Sequence, residues 1–350
     1  MIVRFAALLA TLLVLTGCGK EPLYQEQAYV FGTIVEVSVY GEEEAKARQG
    51  AAAVMTEFQR LHDLLHAWQP SALSALNEAF AQGKPHAATP ELVALLQDAE
   101  QFSVRSGGTF NPAIGGLIKA WGFQSDTFQP VLPDAQRITA LLKANPQMTD
   151  LSYLPPAPGT TEAQVRSKNP SVMVDLGGYA KGYALDRAVE LLQQQGIANA
   201  LVNIGGNVIA LGTHGNRPWH IGIQHPRKPG AIATLELRDG EAVGTSGDYQ
   251  RYFELDGKRY CHLLDPRTGQ PVRGVQAVTV LARGERAGLL SDVTSKPIFI
   301  AGLSGWRAAV RDMNQTDALL IDAEGKVHLT EALQKRLKFS DSKTVVMPVP

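Results

Sequence analysis

Apolar and polar positions along this chain alternate in short runs, broken by a few longer stretches of helical period. The run FGTIVEVSVY predicts a strand over Tyr29–Tyr40, with Gly32 able to bring backbone close to a ligand. Glu42 through Leu65 has a helical pattern and ends in a loop around Trp68-Gln69-Pro70-Ser71. Thr89-Pro90-Glu91 opens another helix, with Thr89 as N-cap, Pro90 in the first turn, and Leu92, Leu95, Leu96, Ala99 and Phe102 on one face. A helix over Pro133–Ala144 and a proline-rich excursion over Leu154–Pro158 read as peripheral.

The pattern changes most sharply in VMVDLGGYAKGYALDRAVELLQQQG, Val172 to Gly196. Val172, Met173, Val174 and Leu176 predict a short buried strand, and Gly177-Gly178 break it. Ala180, Ala184, Leu185, Ala188, Leu191 and Leu192 then recur at helical spacing until Gly196. A glycine turn opening a helix offers free N–H groups and a positive dipole end to phosphate. Lys181 stands in the first turn, where the dipole does not favour a cation, so its charge points to another use.

The second half is richer in strands. ALVNIGGNVIAL over Ala200–Leu211 reads as strand, glycine break, strand, and Trp219–Gln224 alternates. Glu241–Gly247 ends in Gly244-Thr245-Ser246-Gly247. Tyr252–Leu264 reads as a hairpin closed on Asp256-Gly257, and Asp265–Gly269 as a turn. A strand over Val275–Leu281 precedes helices over Ser291–Gly302, despite Pro297, and Trp306–Met313. Ala318–Ile321 and Val327–Leu329 close a last hairpin. No repeat is visible, and the motifs spread over the whole chain, which predicts one intertwined α+β unit.

Composition narrows the class of partner. With 350 residues, 45% apolar, 19% charged and a net charge of -1, the chain carries ample core and no basic run. Nucleic acid is therefore not an expected partner. Residues 1–17 read as an export signal: Arg4 is the only charge, and an apolar run follows over Phe5–Leu15. Leu15-Thr16-Gly17-Cys18 resembles a bacterial lipobox, which makes Cys18 the lipidation site and residues 18–28 a tether off the membrane. Cys261, between Tyr260 and His262, has no second cysteine in the remaining chain and reads as packed.

Singly, the remaining motifs are weak. Gly205-Gly206-Asn207 suits a tight hairpin, Thr245-Ser246-Gly247 a turn, His262 an interior histidine and Asp265 a turn before proline. No Gly-x-Ser-x-Gly, Cys-x-x-Cys or two-histidine metal motif supports triad or zinc chemistry. In order they are specific. FGT at 31–33, TFNPAIGGLIKAWGF at 109–123, VDLGGYAKGYALDRA at 174–188 and LVNIGGNV at 201–208 resemble blocks of the ApbE family. So do GTSGDYQRYFELDGKRYCHLLDPRTGQPV at 244–272 and SDVTSK at 291–296.

The resemblance implies a T-fold-related α+β unit with mixed and antiparallel sheets and flanking helices, over residues 29–335, with 336–350 as a tail. It implies a periplasmic lipoprotein that transfers the FMN half of FAD to a threonine hydroxyl of an acceptor protein, releasing AMP, with magnesium. Membrane redox subunits are the acceptors it suggests. The FAD-binding residues it implies are Phe31, Trp68, Thr109, Phe110, Asn111, Asp175, Lys181 and Leu264. The same blocks add Asn203, Gly205, Gly206, Thr245, Ser246, Gly247 and Asp265. The implied metal ligands are the Gly178 carbonyl and the helix from Asp292. Here the chain departs from the family: Lys296 stands where a threonine is usual, leaving Ser295 or Thr294 to supply an oxygen. An ammonium there would repel a divalent ion or stand in for part of its charge. A smaller departure is Gly116, where the family has proline.

Phosphoryl transfer by positioning then needs the pyrophosphate neutralised, by the N–H groups of Gly177–Ala180, Lys181 and a cation at Asp292. His262 and Asp292 are both candidates to take the acceptor's proton. Two other functions fit the same residues: FAD pyrophosphatase, giving FMN and AMP, and a flavin-binding lipoprotein without chemistry.

Overall fold

The computed structural model describes residues 23–125, 127–156, 159–341 and 344–349. The proposed signal, Cys18 and Ala157-Pro158 of the proline-rich excursion lie outside the described residues. Among those described, nine strands form one sheet in strict chain order: Leu23–Val30, Thr33–Tyr40, Ala200–Ile204, Asn207–Leu211, Glu241–Gly247, Val275–Arg283, Ala318–Asp322, Val327–Thr330 and Val346–Val349. Neighbours are antiparallel until the last pair, which is parallel. The α+β class expected from the pattern is the class observed.

Period-two alternation sorts the sheet's side chains between two cores. Ile209, Leu211 and Ala242 join Val35, Val37 and Val39 against helices α1 (Glu44–Leu65) and α6 (Ala180–Gln194). Val208, Ala210 and Val243 face the other way, against Trp219–Gln224 and Ala231–Leu237, which form a small sheet with Leu337–Phe339. With both faces covered, Asn207–Leu211 is buried throughout. A third core gathers α2 (Ala72–Ala81), α3 (Pro90–Arg105) and the segment 172–180, and α4 (Gly115–Ala120) and α5 (Ala135–Ala144) pack with Trp121 and Phe123 in another.

Several boundaries differ from expectation. The expected strand at Tyr29–Tyr40 is two strands, joined by a turn at Phe31 (φ 56°) and Gly32 (φ 69°). Much of the expected tether is therefore sheet, since Leu23–Val30 pairs fully with Thr33–Tyr40. The expected tail is likewise built in: Leu337–Phe339 and Val346–Val349 each pair with a neighbouring strand. α2, not expected, is set by a capping box in which Ser71 and Ser74 exchange side chain and backbone bonds. Val172–Leu176 is extended but forms only a bridge, Met173 to Ile114. Its backbone is satisfied by residues 112–115 on one side and by the Asn77 amide on the other.

Helix α7 (Ala287–Asp312) merges the two helices expected at 291–302 and 306–313, and turns sharply at Gly302 (φ 65°). It and α6 cap each other. Asp186 of α6 accepts the N–H groups of Gly288 (2.8 Å) and Leu289 (2.9 Å) in the first turn of α7. Asp292 of α7 accepts Gly182 N–H (2.9 Å) in the first turn of α6. Such proximity requires glycine. A Cβ on Gly182 would lie 2.6 Å from Asp292 Cβ and 2.7 Å from Gly288 O, and one on Gly244 2.5 Å from the Ser291 backbone. Gly182→Ala is expected to destabilise by about 1–3 kcal/mol through overpacking, read as a lowered urea midpoint.

Cys261 is 1% exposed, and burial pushes its thiol up to about 12. It should resist thiol reagents in the native state and react at once in denaturant; native-state labelling at the denatured rate would contradict this packing.

Candidate functional site

A cavity of about 850 Å³ opens where the main sheet, the α2–α3 lobe and residues 245–264 meet. This is toward the large end of ligand-site volumes, which run about 300–1,000 Å³. One end is aromatic. Phe31 packs on Phe58 (6.0 Å between centroids) and edge-on to His62 (5.8 Å), His62 meets His66 (5.0 Å), and His66 meets Trp68 (5.0 Å). The Arg251 guanidinium lies 5.8 Å from the Trp68 ring centroid. Phe31 holds a left-handed φ, a conformation that costs a bulky residue about 1–3 kcal/mol and is retained here by that packing. Phe31, His62, His66 and Trp68 all line the cavity and give this end an aromatic wall.

The floor is the segment from Asp175 to Lys181. Asp175 accepts Gly177 N–H (2.8 Å); burial raises its carboxyl above the usual range, against that bond and Arg251. The N–H groups of Tyr179 and Ala180 go to Leu176 O, and that of Gly182 to Asp292. The expected backbone cradle is thus largely spent inside the protein. What the cavity wall offers an anion instead is Lys181, Lys296 and Arg251.

Lys296 reaches the cavity from α7, its side chain 13% exposed. Its Nζ donates to the Asp292 carbonyl oxygen at 2.8 Å and to Asp292 Oδ1. The stem lies against Gly178, where an added Cβ would sit 3.3 Å from Lys296 Cε. Burial raises the Asp292 carboxyl, but Lys296 and Lys181 beside it hold it below the usual range.

These residues do not fit a divalent cation. The Lys296 stem lies against Gly178 and its ammonium against Asp292, and both carboxylate oxygens already accept N–H donors. The alternative hydroxyls are also committed. Ser295 Oγ donates to Asp292 O (2.7 Å) and meets Ser246 Oγ (2.7 Å), and Thr294 Oγ1 donates to Leu290 O (2.6 Å). A divalent ion about 4 Å from the ammonium would meet a repulsion of about 8 kcal/mol at an effective dielectric near 20.

His262 lines the same wall, just past the strand Lys258–Cys261. Its Nδ1 lies 3.2 Å from the Arg251 carbonyl, an acceptor only, so Nδ1 carries the proton and Nε2 the lone pair. Burial, then the Arg251 charge, lowers its pKa to about 3. The imidazole is neutral throughout the physiological range. The loop bearing Tyr249, Gln250 and Arg251 is anchored by a bidentate Arg227–Asp248 pair (2.7 and 2.6 Å).

Of the expected residues, Phe31, Trp68, Thr109, Phe110, Asn111, Asp175, Gly178, Lys181, Gly205, Thr245, Ser246, Gly247, His262, Leu264 and Lys296 line this cavity. Others do not. Asn203 accepts Gly206 N–H (2.9 Å) to close a turn, and both line a smaller neighbouring cleft. Asp265 binds Arg267. Asp292, 1% exposed, stands behind Lys296, and Ser295 is buried beside Ser246. His62, His66, Gln250 and Arg251 line the cavity without having been anticipated. The four-residue spacing of His62 and His66 at the end of a helix was the available signal.

The model of the ApbE family matches residues 31–320. The chain is 41% identical to a FAD:protein FMN transferase of Rhodobacter capsulatus over 96% of its own length, though it spans only 63% of that relative. It is 32% identical to a FAD:protein FMN transferase of Treponema pallidum, covering 98% of this chain and 97% of that one. The crystal structure of the ApbE protein of Thermotoga maritima superposes with a TM-score of 0.79 at 29% identity, over 90% of this chain and 99% of that one. With the family model matching most of its length and the fold shared with a solved member, the chain belongs to the ApbE family.

Proposed function

We propose that this chain binds FAD in the cavity and transfers its FMN half to a threonine hydroxyl of an acceptor protein. The observation that carries the reading is one cavity holding an aromatic wall, three cationic side chains and a neutral imidazole. The aromatic wall suits isoalloxazine, and Lys181, Lys296 and Arg251 suit the pyrophosphate. In the transfer, the hydroxyl oxygen attacks the FMN-side phosphorus and forms a new P–O ester. The bond from that phosphorus to the bridging oxygen breaks, and its electron pair leaves with AMP. His262 Nε2 holds the lone pair placed to take the hydroxyl proton, and the negative charge of a bound pyrophosphate would raise its basicity above that of the empty site. Asp292 is the poorer base, because its oxygens are occupied and it is shielded by Lys296. No metal enters the step.

Incubating the full chain with FAD and a periplasmic acceptor domain tests this. An acceptor mass gain equal to bound FMN, with AMP released, is the expected outcome. Free FMN and AMP with unmodified acceptor would make the chain a pyrophosphatase, and intact FAD a carrier.

The same reading extends to location. The apolar run after Arg4 and the Leu-Thr-Gly-Cys sequence support export and lipidation at Cys18. A lipid anchor there would hold the domain at the periplasmic face of a membrane, where a redox-complex subunit is a suitable acceptor. Cys18→Ala should release the protein into the soluble fraction; unchanged membrane association would contradict the anchor.

A further inference from the structure

The place where the family resemblance puts a divalent cation is filled by a side chain of this protein. Lys296 Nζ is fixed by the carbonyl and the carboxylate of Asp292, one turn earlier on α7. The carboxylate is itself fixed by Gly182 N–H in the first turn of α6. The lysine stem is walled by Gly178, and Phe110 Cε2 lies 3.5 Å from where a Cβ on that glycine would be. The side-chain oxygens of Ser295, Thr294 and Asp292 already have partners. Yet Lys296 still lines the cavity. An ammonium keeps three donors; two are used on Asp292, which leaves one to point at a ligand oxygen.

Resting on the FAD reading above, we propose that Lys296 is the resident cation of this site, so that the chain binds FAD and transfers FMN without a divalent metal. Lys296 donates to the pyrophosphate while Asp292 orients it. The bond changes are those already given; the lysine supplies charge and a hydrogen bond and takes no part in proton transfer.

The test uses the full chain, stripped of metal with a chelator, beside Lys296→Thr and Lys296→Gln. Three readouts are taken: bound Mn²⁺ by electron paramagnetic resonance, FAD affinity by flavin fluorescence, and acceptor flavinylation. The native chain is expected to bind no Mn²⁺ and to change by less than about twofold in affinity and rate when magnesium is added. Lys296→Gln should lose about 10²–10³-fold in rate, the loss typical of one transition-state donor, without rescue by metal. Lys296→Thr should regain activity with magnesium and bind Mn²⁺. A native chain that binds Mn²⁺ in the site, or that flavinylates only when magnesium is returned, overturns the proposal whether or not either variant folds. Failure of the native chain to take up FAD with or without metal would defeat the FAD reading, and the Mn²⁺ measurement would still decide whether Lys296 excludes the ion.

Discussion

Asp292→Ala is expected to destabilise the protein by about 3–5 kcal/mol, the usual result of leaving one partner of a buried ion pair alone. The substitution strands the Lys296 ammonium and removes the acceptor of Gly182 N–H. It thereby loosens both the cation of the cavity and the start of α6. Adding Lys296→Met to Asp292→Ala should recover a large part of the loss, because the uncompensated charge is then gone. Lys296 and Lys181 hold the Asp292 carboxyl below its usual range against burial. Its stabilising contribution is therefore present above the unfolded carboxylate pKa and is lost as pH falls through the folded one. Urea titrations should show the full difference between native and Asp292→Ala proteins at pH 7 and a smaller one below about pH 4. An equal effect at both pH values, or none, would mean that the pair is not buried as described.

For activity, the largest single effect is expected from His262→Gln, a fall in transfer rate of about 10²–10⁴-fold with FAD affinity nearly unchanged. Glutamine can occupy the same volume but offers no basic nitrogen. Burial, then Arg251, lowers the His262 pKa to about 3, so the lone pair at Nε2 persists as pH falls. The native kcat/KM should accordingly stay level between pH 5 and 7 as far as this group is concerned. A limb centred near 6.5, absent in His262→Gln, would show an ordinary solvated imidazole and contradict the geometry.

Much of this arrangement was legible where local rules suffice. Asp256-Gly257 closes its hairpin, Thr89 and Pro90 begin α3, and Gly196 ends α6. The turn at Phe31 was hidden because phenylalanine is not a turn former; the helix and rings packed around it impose the left-handed backbone. The strand expected at Val172–Leu176 was replaced by an extended segment because its partners are a side chain, Asn77, and a non-strand loop. The helix start at Ala180 was visible as an anion site, but its occupation by Asp292, 110 residues later in the chain, depends on two helices crossing at glycines. Arg251, His62 and His66 reach the cavity through the same long-range packing. Lys296 is the reverse case. Its four-residue spacing from Asp292 allowed a pair on one helix face, and the structure shows that pair formed and nearly buried.

FAD is proposed to lie in this cavity with its pyrophosphate on side-chain cations. A structure of the full chain with FAD, prepared free of divalent metal, tests it most directly. The ring system is expected against Phe31 and Trp68, with pyrophosphate oxygens within hydrogen-bond distance of Lys181 Nζ and Lys296 Nζ. FAD bound outside the cavity, or a pyrophosphate touching neither lysine, would contradict it.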